Sequence, residues 1–420
     1  MSRPFDLLVR NAGTLFTADG SDGGNAQQLL GAVPRGAVGI EDAHVSWVGA
    51  EGDVPRERIG PATKFLDAGG GLVAPGFVDS HTHLIWAGDR SHEFALRCAG
   101  ADYLSIARAG GGIASTVRAV REASDDTLVA LALPRLQRLL AQGVTTAEVK
   151  SGYGLDAETE LRMLRVIDLL GAKQPIRLLR TFLWPHAMPP GSTDRAGYLA
   201  RGQRVLRDVA RAGLARFADA FVEEGAFGQD EVRAFLEEAH SLGLGLKLHV
   251  DQLHAGRGAQ FAASLGAISA DHLESVDPEG IAALARAQVT AVLIPTATLV
   301  LSLSRYAPGR ALVDAGVGVA IATNCNPGSA PTENLALAMS LACLQNGLSP
   351  AEALLGVTRR GGEALGDTSL GRLRVGGPAD LVLLGAPDVD HLAAHVATSH
   401  VQAVVRAGRI VLRTDGNARC

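Results

Sequence analysis

The sequence predicts a TIM-like (β/α)8 barrel carrying a small β-sandwich that both chain ends build. Three observations predict it. Between about residues 76 and 366, strand-like runs alternate with helical patterns, and eight such runs can be counted. Both ends instead carry short β-like runs punctuated by Gly, Asp and Pro, with no helical period. The composition suits alternating strands and Ala/Leu-rich helices: 47% of the 420 residues are apolar and 4% aromatic, with 50 glycines. The core therefore rests on Val, Leu, Ile and Ala.

The N-terminal part, residues 1–75, contains β-like runs at Asp6–Arg10, Ala37–Glu41, Ala43–Val48 and Lys64–Asp67. The polar, Gly-rich segment Ala18–Gly31 between them reads as a mobile hairpin or loop. The barrel, 76–366, takes its strands from Gly76–Asp79, Thr145–Val149, Ile176–Thr181, Arg216–Val222, Gly245–Val250, Ala267–Ala270, Thr290–Ile294 and Gly318–Thr323. Helical patterns intervene, among them Asp126–Gln142, Asp156–Leu170, Arg195–Arg211 and Asp277–Ala287. The C-terminal part, 367–420, returns to β-like runs, starting with Gly377-Pro-Ala-Asp-Leu and continuing with Val401–Arg406 and Arg409–Leu412. A doubly wound open sheet is the alternative, but no GxGxxG follows the first run. Gly110-Gly-Gly112 precedes a helix without following a clear strand, so it reads as a turn rather than a phosphate cradle.

Charge and composition exclude several function classes. Net charge is −5 and Lys and Arg are dispersed, which leaves no electrostatic footprint for nucleic acid or an anionic membrane. No apolar stretch reaches the roughly 20 residues of a spanning helix. The N-terminus reads as a strand rather than a leader, so a cytoplasmic protein is the expectation. Cys98, Cys325, Cys343 and Cys420 are scattered and expected to be reduced.

The polar residues at the ends of the strand-like runs carry the chemistry. The first run ends Asp79-Ser-His81-Thr-His83, and two residues apart on extended chain His81 and His83 face the same side. The fifth ends at His249-Val-Asp251-Gln252, the sixth at Asp271-His272, and the eighth at Thr323-Asn324-Cys-Asn326-Pro-Gly328. In a barrel all strand C-termini open on one face, so His81, His83, His249, His272 and Asn324 converge there. Singly, His249 or His272 would more often be a satisfied structural histidine; at equivalent ends of several strands they make a site. Neutral imidazoles suit one borderline divalent ion such as zinc or ferrous iron. Arg90, Tyr153 and His186 at other strand ends form a reasonable carboxylate clamp for a small molecule. Glu223-Glu224 could be a paired-carboxylate acid/base site, but reads better as a brace for the rim or its loops. Lys150 could bind metal only after carboxylation, and its place on the second run is the wrong one for that arrangement.

Together these motifs resemble a known family. Pro75-Gly-Phe-Val-Asp-Ser-His-Thr-His83 is similar to the amidohydrolase opening. Gly88-Asp-Arg90, Arg108-Ala-Gly-Gly-Gly-Ile113, Glu148-Val-Lys-Ser-Gly-Tyr-Gly154, Glu223-Glu-Gly-Ala-Phe227, Ser269-Ala-Asp-His-Leu-Glu274 and Asn326-Pro-Gly-Ser-Ala-Pro-Thr-Glu333 resemble the imidazolonepropionases in particular. The resemblance implies a barrel of the metal-dependent hydrolase type and hydrolysis of 4-imidazolone-5-propanoate to N-formimidoyl-L-glutamate. It implies one zinc or iron on His81, His83 and His249, and a substrate held, chiefly by its propionate, on Arg90, Tyr153 and His186. Gln252 would meet the ring, His272 would assist proton transfer or polarise the ring carbonyl, Asn326, Gly328 and Ser329 would contact substrate or product, and the chain would form a homodimer. Position 324, Asp in the family, is Asn here; an amide offers the metal an oxygen but neither charge nor a proton acceptor. Two other readings remain: a catalytically impaired relative that binds without turnover, and an amidohydrolase acting on another heterocycle. Against the latter, aminohydrolases tend to place Glu three residues after the fifth-strand His, where Gln252 stands.

Overall fold

The computed structural model describes residues 3–100 and 110–414. Arg108 of the glycine-rich motif and Cys420 lie outside the described residues. The chain begins with β1 (Leu7–Arg10), β2 (Thr14–Phe16), β3 (Ala32–Pro34), β4 (Gly36–Glu41), β5 (His44–Ala50), β6 (Lys64–Asp67) and β7 (Leu72–Pro75). The barrel strands follow: β8 (Phe77–Asp79), β9 (Val144–Lys150), β10 (Arg177–Phe182), β11 (Phe217–Val222), β12 (Gly245–Val250), β13 (Ser269–His272), β14 (Thr290–Leu293) and β15 (Val319–Ile321). The last strands are β16 (Leu381–Leu384), β17 (Val401–Arg406) and β18 (Arg409–Arg413).

The expected fold class stands. Strands β8 to β15 pair in parallel, in chain order, with helices in the crossovers. Several crossover helices begin where the sequence supplies a cap. Ser124, Asp156 and Asp277 accept from the backbone N–H of Thr127, Thr159 and Gly280, and Pro278 follows Asp277 in the first turn. Burial on both faces explains why β14, Thr-Ala-Val-Leu, reads as a nearly continuous apolar run, whereas β12 alternates Leu with the inward Lys247 and His249.

The ladder between β8 and β15 is completed beyond the strands themselves. The Asn324 N–H donates to the His81 carbonyl at 3.0 Å, and the His83 N–H donates to the Cys325 carbonyl at 3.0 Å. Below them, the Asp79 carboxylate accepts from the Thr323 N–H at 3.1 Å and its hydroxyl at 2.6 Å. The barrel thus closes through the residues that carry the candidate ligands.

Two further sheets come from the chain ends. One has the order β5-β4-β1-β6; the other, β18-β17-β16-β7-β2-β3, joins strands from both termini. Leu7, Leu15, Val38, Ile40, Leu66, Val73, Leu381 and Val405 pack between them in one buried cluster. Only Gly76 separates β7 from β8, and a Cβ there would lie 2.2 Å from the Thr145 hydroxyl oxygen. The sandwich therefore feeds directly into the strand that bears His81 and His83.

The segment Ala18–Gly31 joins β2 to its antiparallel partner β3, as a hairpin connection does, but it is more built than a plain loop. It contains a short helix, Ala26–Leu30, whose capping box links Asn25 and Gln28. Leu30 is fully buried, and Asp19 accepts from Arg372 at 2.8 Å and Arg374 at 2.9 Å. Its Gly and Asp residues serve as caps and ion-pair partners, which a reading by composition takes for loop. Among the described residues Cys98, Cys325 and Cys343 are free thiols. No helix of the described residues is long and apolar enough to cross a membrane.

Candidate metal centre at the barrel mouth

His81 and His83 lie just beyond β8, and His249 near the end of β12. Between the two former, Thr82 turns the other way and clamps the extension to β9. Its hydroxyl donates to the Glu148 carbonyl at 2.6 Å, and the Lys150 N–H donates to the Thr82 carbonyl at 2.9 Å. The alternation expected of extended chain thus places both imidazoles inward.

The three rings face one another through Nε2. His83 Nε2 is 3.3 Å from Nε2 of both His81 and His249. On the far side, His81 Nδ1 lies 2.6 Å from Asp271 Oδ2 and His249 Nδ1 lies 3.1 Å from Asp219 Oδ1. A carboxylate only accepts, so both Nδ1 atoms carry the proton and both Nε2 atoms present lone pairs. Burial holds the pKa of all three imidazoles well below the usual value, helped by each other and by the Lys150 ammonium. Such imidazoles are neutral near pH 7 and able to ligate a metal ion.

His81 and His249 each turn an Nε2 lone pair toward His83 Nε2 across 3.3 Å. That separation is the edge of a tetrahedron with bonds of about 2.0 Å, the zinc–imidazole distance. The donor set therefore fits a borderline divalent ion. The Asn324 Oδ1 atom is buried with no hydrogen-bond partner, and the Asn324 backbone is tied to His81. An orphaned buried oxygen in this position suits a further ligand.

Beneath the histidines runs a layer of buried charge. Lys150 Nζ donates to Glu148 Oε1 at 2.6 Å and Asp219 Oδ2 at 2.8 Å. Lys247 Nζ donates to Ser269 Oγ at 2.6 Å and lies 3.6 Å from Asp271 Oδ2. Burial pushes the Lys150 ammonium down, but Asp219, Glu148 and Asp271 outweigh it and carry its pKa above the usual value. The layer fixes the two carboxylates that orient His81 and His249. Asp219, Asp271 and Lys247 had no assigned role at the level of sequence. The available signal was a charged residue on the inward parity of a barrel strand: Lys247 shares that parity with His249, and Asp219 with Phe217 and Phe221, whose register partners are Gly245 and His249.

His272 ends β13 with φ 85 and the next residue, Leu273, has φ 70, both left-handed. This turn puts the His272 ring centroid 5.4 Å from that of His249 and 5.6 Å from that of His81. Its Nδ1 lies 3.6 Å from Glu274 Oε1.

Two clamp residues, His186 and Tyr153, gather beside the histidines. His186 stacks on His83 at 5.4 Å and lies 5.5 Å from the Tyr153 ring, which is 5.8 Å from His83. His186 Nδ1 lies 2.7 Å from the Gly152 carbonyl oxygen. Gly152, with φ 107, leaves the space this needs, since a Cβ there would sit 2.8 Å from that nitrogen. The Arg90 guanidinium pairs with Glu93 at 2.8 Å and rests on Gly328, where a Cβ would come within 2.2 Å of it.

Gln252 is buried two residues beyond β12, and its N–H donates to Glu223 at 3.1 Å. Glu223 also accepts from the Leu253 N–H at 2.8 Å and pairs with His254 at 3.0 Å. It braces that loop, as the second reading of the Glu223-Glu224 pair had it. Asn326 spends its side chain on its own loop. Its amide donates to the Asn324 carbonyl at 2.7 Å and Ser329 Oγ at 2.9 Å, and its oxygen accepts from the Gly328 and Ser329 N–H groups at 2.8 Å.

Residues 72–411 match the model of the amidohydrolase family. The chain is 52% identical to the imidazolonepropionase of Myxococcus xanthus, with 97% of each chain covered. It is 43% identical to that of Symbiobacterium thermophilum, with 99% of each covered. Among solved structures, a mutant atrazine chlorohydrolase from Arthrobacter aurescens, complexed with zinc and atraton, superposes with a TM-score of 0.74 at 18% identity, covering 97% of this chain and 95% of that one. That likeness is one of fold.

Proposed function

The chain belongs to the amidohydrolase family, among the imidazolonepropionases, and we propose that its barrel mouth hydrolyses the ring C–N bond of 4-imidazolone-5-propanoate, giving N-formimidoyl-L-glutamate in histidine degradation. The observation that carries the reading is end-to-end likeness to relatives of that one activity, joined to three neutral imidazoles aimed at a common point.

His81, His83 and His249 would hold one divalent ion, zinc or iron, with Asn324 Oδ1 available as a further donor. Such an ion would supply Lewis acidity to a carbonyl and raise the acidity of water. The residues of the chain do the rest. Arg90, Tyr153 and His186 receive the propionate, the guanidinium exchanging part of its pairing with Glu93 for the incoming carboxylate. Gln252 meets the imidazolone ring through its amide, and Gly328 and Ser329 line the same side. Asn326 shapes the loop that presents them. As the water oxygen bonds to the ring carbonyl carbon and the C–N bond breaks, one proton moves from water to the departing nitrogen. His272 carries that proton, with Glu274 close enough to pair with the imidazolium that forms in passing.

Asn324 leaves the water without the carboxylate acceptor the family places there, so His272 bears more of the proton transfer. The protein acts in the cytoplasm as a homodimer. Metal analysis and an assay on enzymatically generated imidazolone propionate test the reading together. One equivalent of zinc or iron with turnover supports it; bound metal with no turnover on this substrate overturns it.

A further inference from the structure

A second histidine cluster lies away from the barrel mouth. His391 lies in the short helix Val389–Ala394, between β16 and β17, and His395 caps the C-terminal end of that helix. One turn apart, their rings stack at 3.9 Å with 28° between planes. His400, immediately before β17, approaches edge-on, 4.9 Å from His391 and 5.5 Å from His395. One ring nitrogen from each lies within 4.8 Å of the other two.

The surroundings point to a ligand. Among the described residues none of the three rings makes a hydrogen bond, and the Nε2 atom of His400 is buried with no partner. A buried imidazole nitrogen left without a partner has lost its water with nothing in return, so its persistence calls for an explanation. His395 is exposed, which gives an ion a path from solvent. Two histidines at i and i+4 on one helical turn, joined by a third from a neighbouring segment, repeat the donor spacing of known three-imidazole sites.

The cluster is separate from the catalytic one. His400 shares a small cavity with Phe77, Gln142, Met339 and Leu392. Phe77 opens β8 and Gln142 precedes β9, so this is the N-terminal end of the barrel. His81, His83 and His249 stand at the C-terminal end.

We propose that His391, His395 and His400 bind a second divalent ion of the zinc, nickel or copper kind, at the end of the barrel opposite the catalytic mouth. Three imidazoles without a carboxylate select such borderline ions over magnesium or calcium. The ion ties the helix Val389–Ala394 to the start of β17 and so fastens the C-terminal strands to the barrel floor. Because it binds the folded chain, it raises stability by mass action.

The test uses the full chain with its catalytic ion already loaded. Zinc is titrated by equilibrium dialysis and elemental analysis into wild type, His395→Ala and His391→Ala. Wild type should take up one ion per chain more than either variant, and zinc should raise its melting temperature by roughly 1–3 °C while leaving the variants unmoved. Copper(II) bound to the loaded wild type should show nitrogen coupling in its electron paramagnetic resonance, absent in His395→Ala. Because His395 is exposed, its variant keeps the fold and the basal turnover. Equal uptake by wild type and both variants would overturn the proposal.

Discussion

The Nδ1 atom of His81 lies 2.6 Å from Oδ2 of Asp271, a residue on the sixth barrel strand and remote in sequence. This contact fixes which nitrogen of His81 carries its proton and turns the other toward His83 and His249. Asp219 does the same for His249 at 3.1 Å. The orientation of the candidate ligands therefore depends on residues that lie behind them.

Replacing Asp271 by Asn keeps an acceptor of the same shape but removes the charge. Asp271→Asn should weaken retention of the catalytic ion by about 10–100-fold with the fold intact. Competition with a chromophoric chelator, beside a circular dichroism spectrum, measures both. Unchanged affinity would count against the orienting role.

Asn324→Asp restores a charged donor and a proton acceptor beside His81. Turnover should rise by roughly 100-fold, the low end of what a positioned base contributes, and metal content after dialysis should rise with it. If kcat and metal content both stay level, position 324 lies outside the chemistry.

Lys150 is buried between Glu148 and Asp219. Lys150→Met should leave those carboxylates and Asp271 short of compensation and destabilise the fold by about 3–5 kcal/mol. Urea unfolding followed by tryptophan fluorescence reads this directly. A loss under about 1 kcal/mol would mean that the pair is no better than a surface one.

Gly328 gives the Arg90 guanidinium its place, since a Cβ there would come within 2.2 Å of it. Gly328→Ala should raise KM by about 10–100-fold, the weight of a lost charge-assisted hydrogen bond, with a smaller change in kcat. A pure kcat effect would move Arg90 from binding to the chemical step.

Much of this fold is legible in the sequence. The helix Arg195–Arg211 and the strand Gly245–Val250 have the bounds their periodicity gives. The convergence of His81, His83, His249 and His272 followed from one rule, that barrel strands open on one face. The helix Ala26–Leu30 was missed because Gly and Asp there act as caps and ion-pair partners, roles that composition does not distinguish from loop. The cluster of His391, His395 and His400 was missed because its third member joins only through the packing of β17.

The sequence by itself determined the alternation of strands and helices, the ligand types at the strand ends and the family, since each is written in local spacing and residue identity. Tertiary structure alone decided which nitrogens of the three histidines face one another, which carboxylates turn them, and that Asn324 closes the barrel on His81. Those contacts join residues distant in sequence, and their geometry is set by strand register and by the charge balance of a buried layer, neither of which a local pattern encodes.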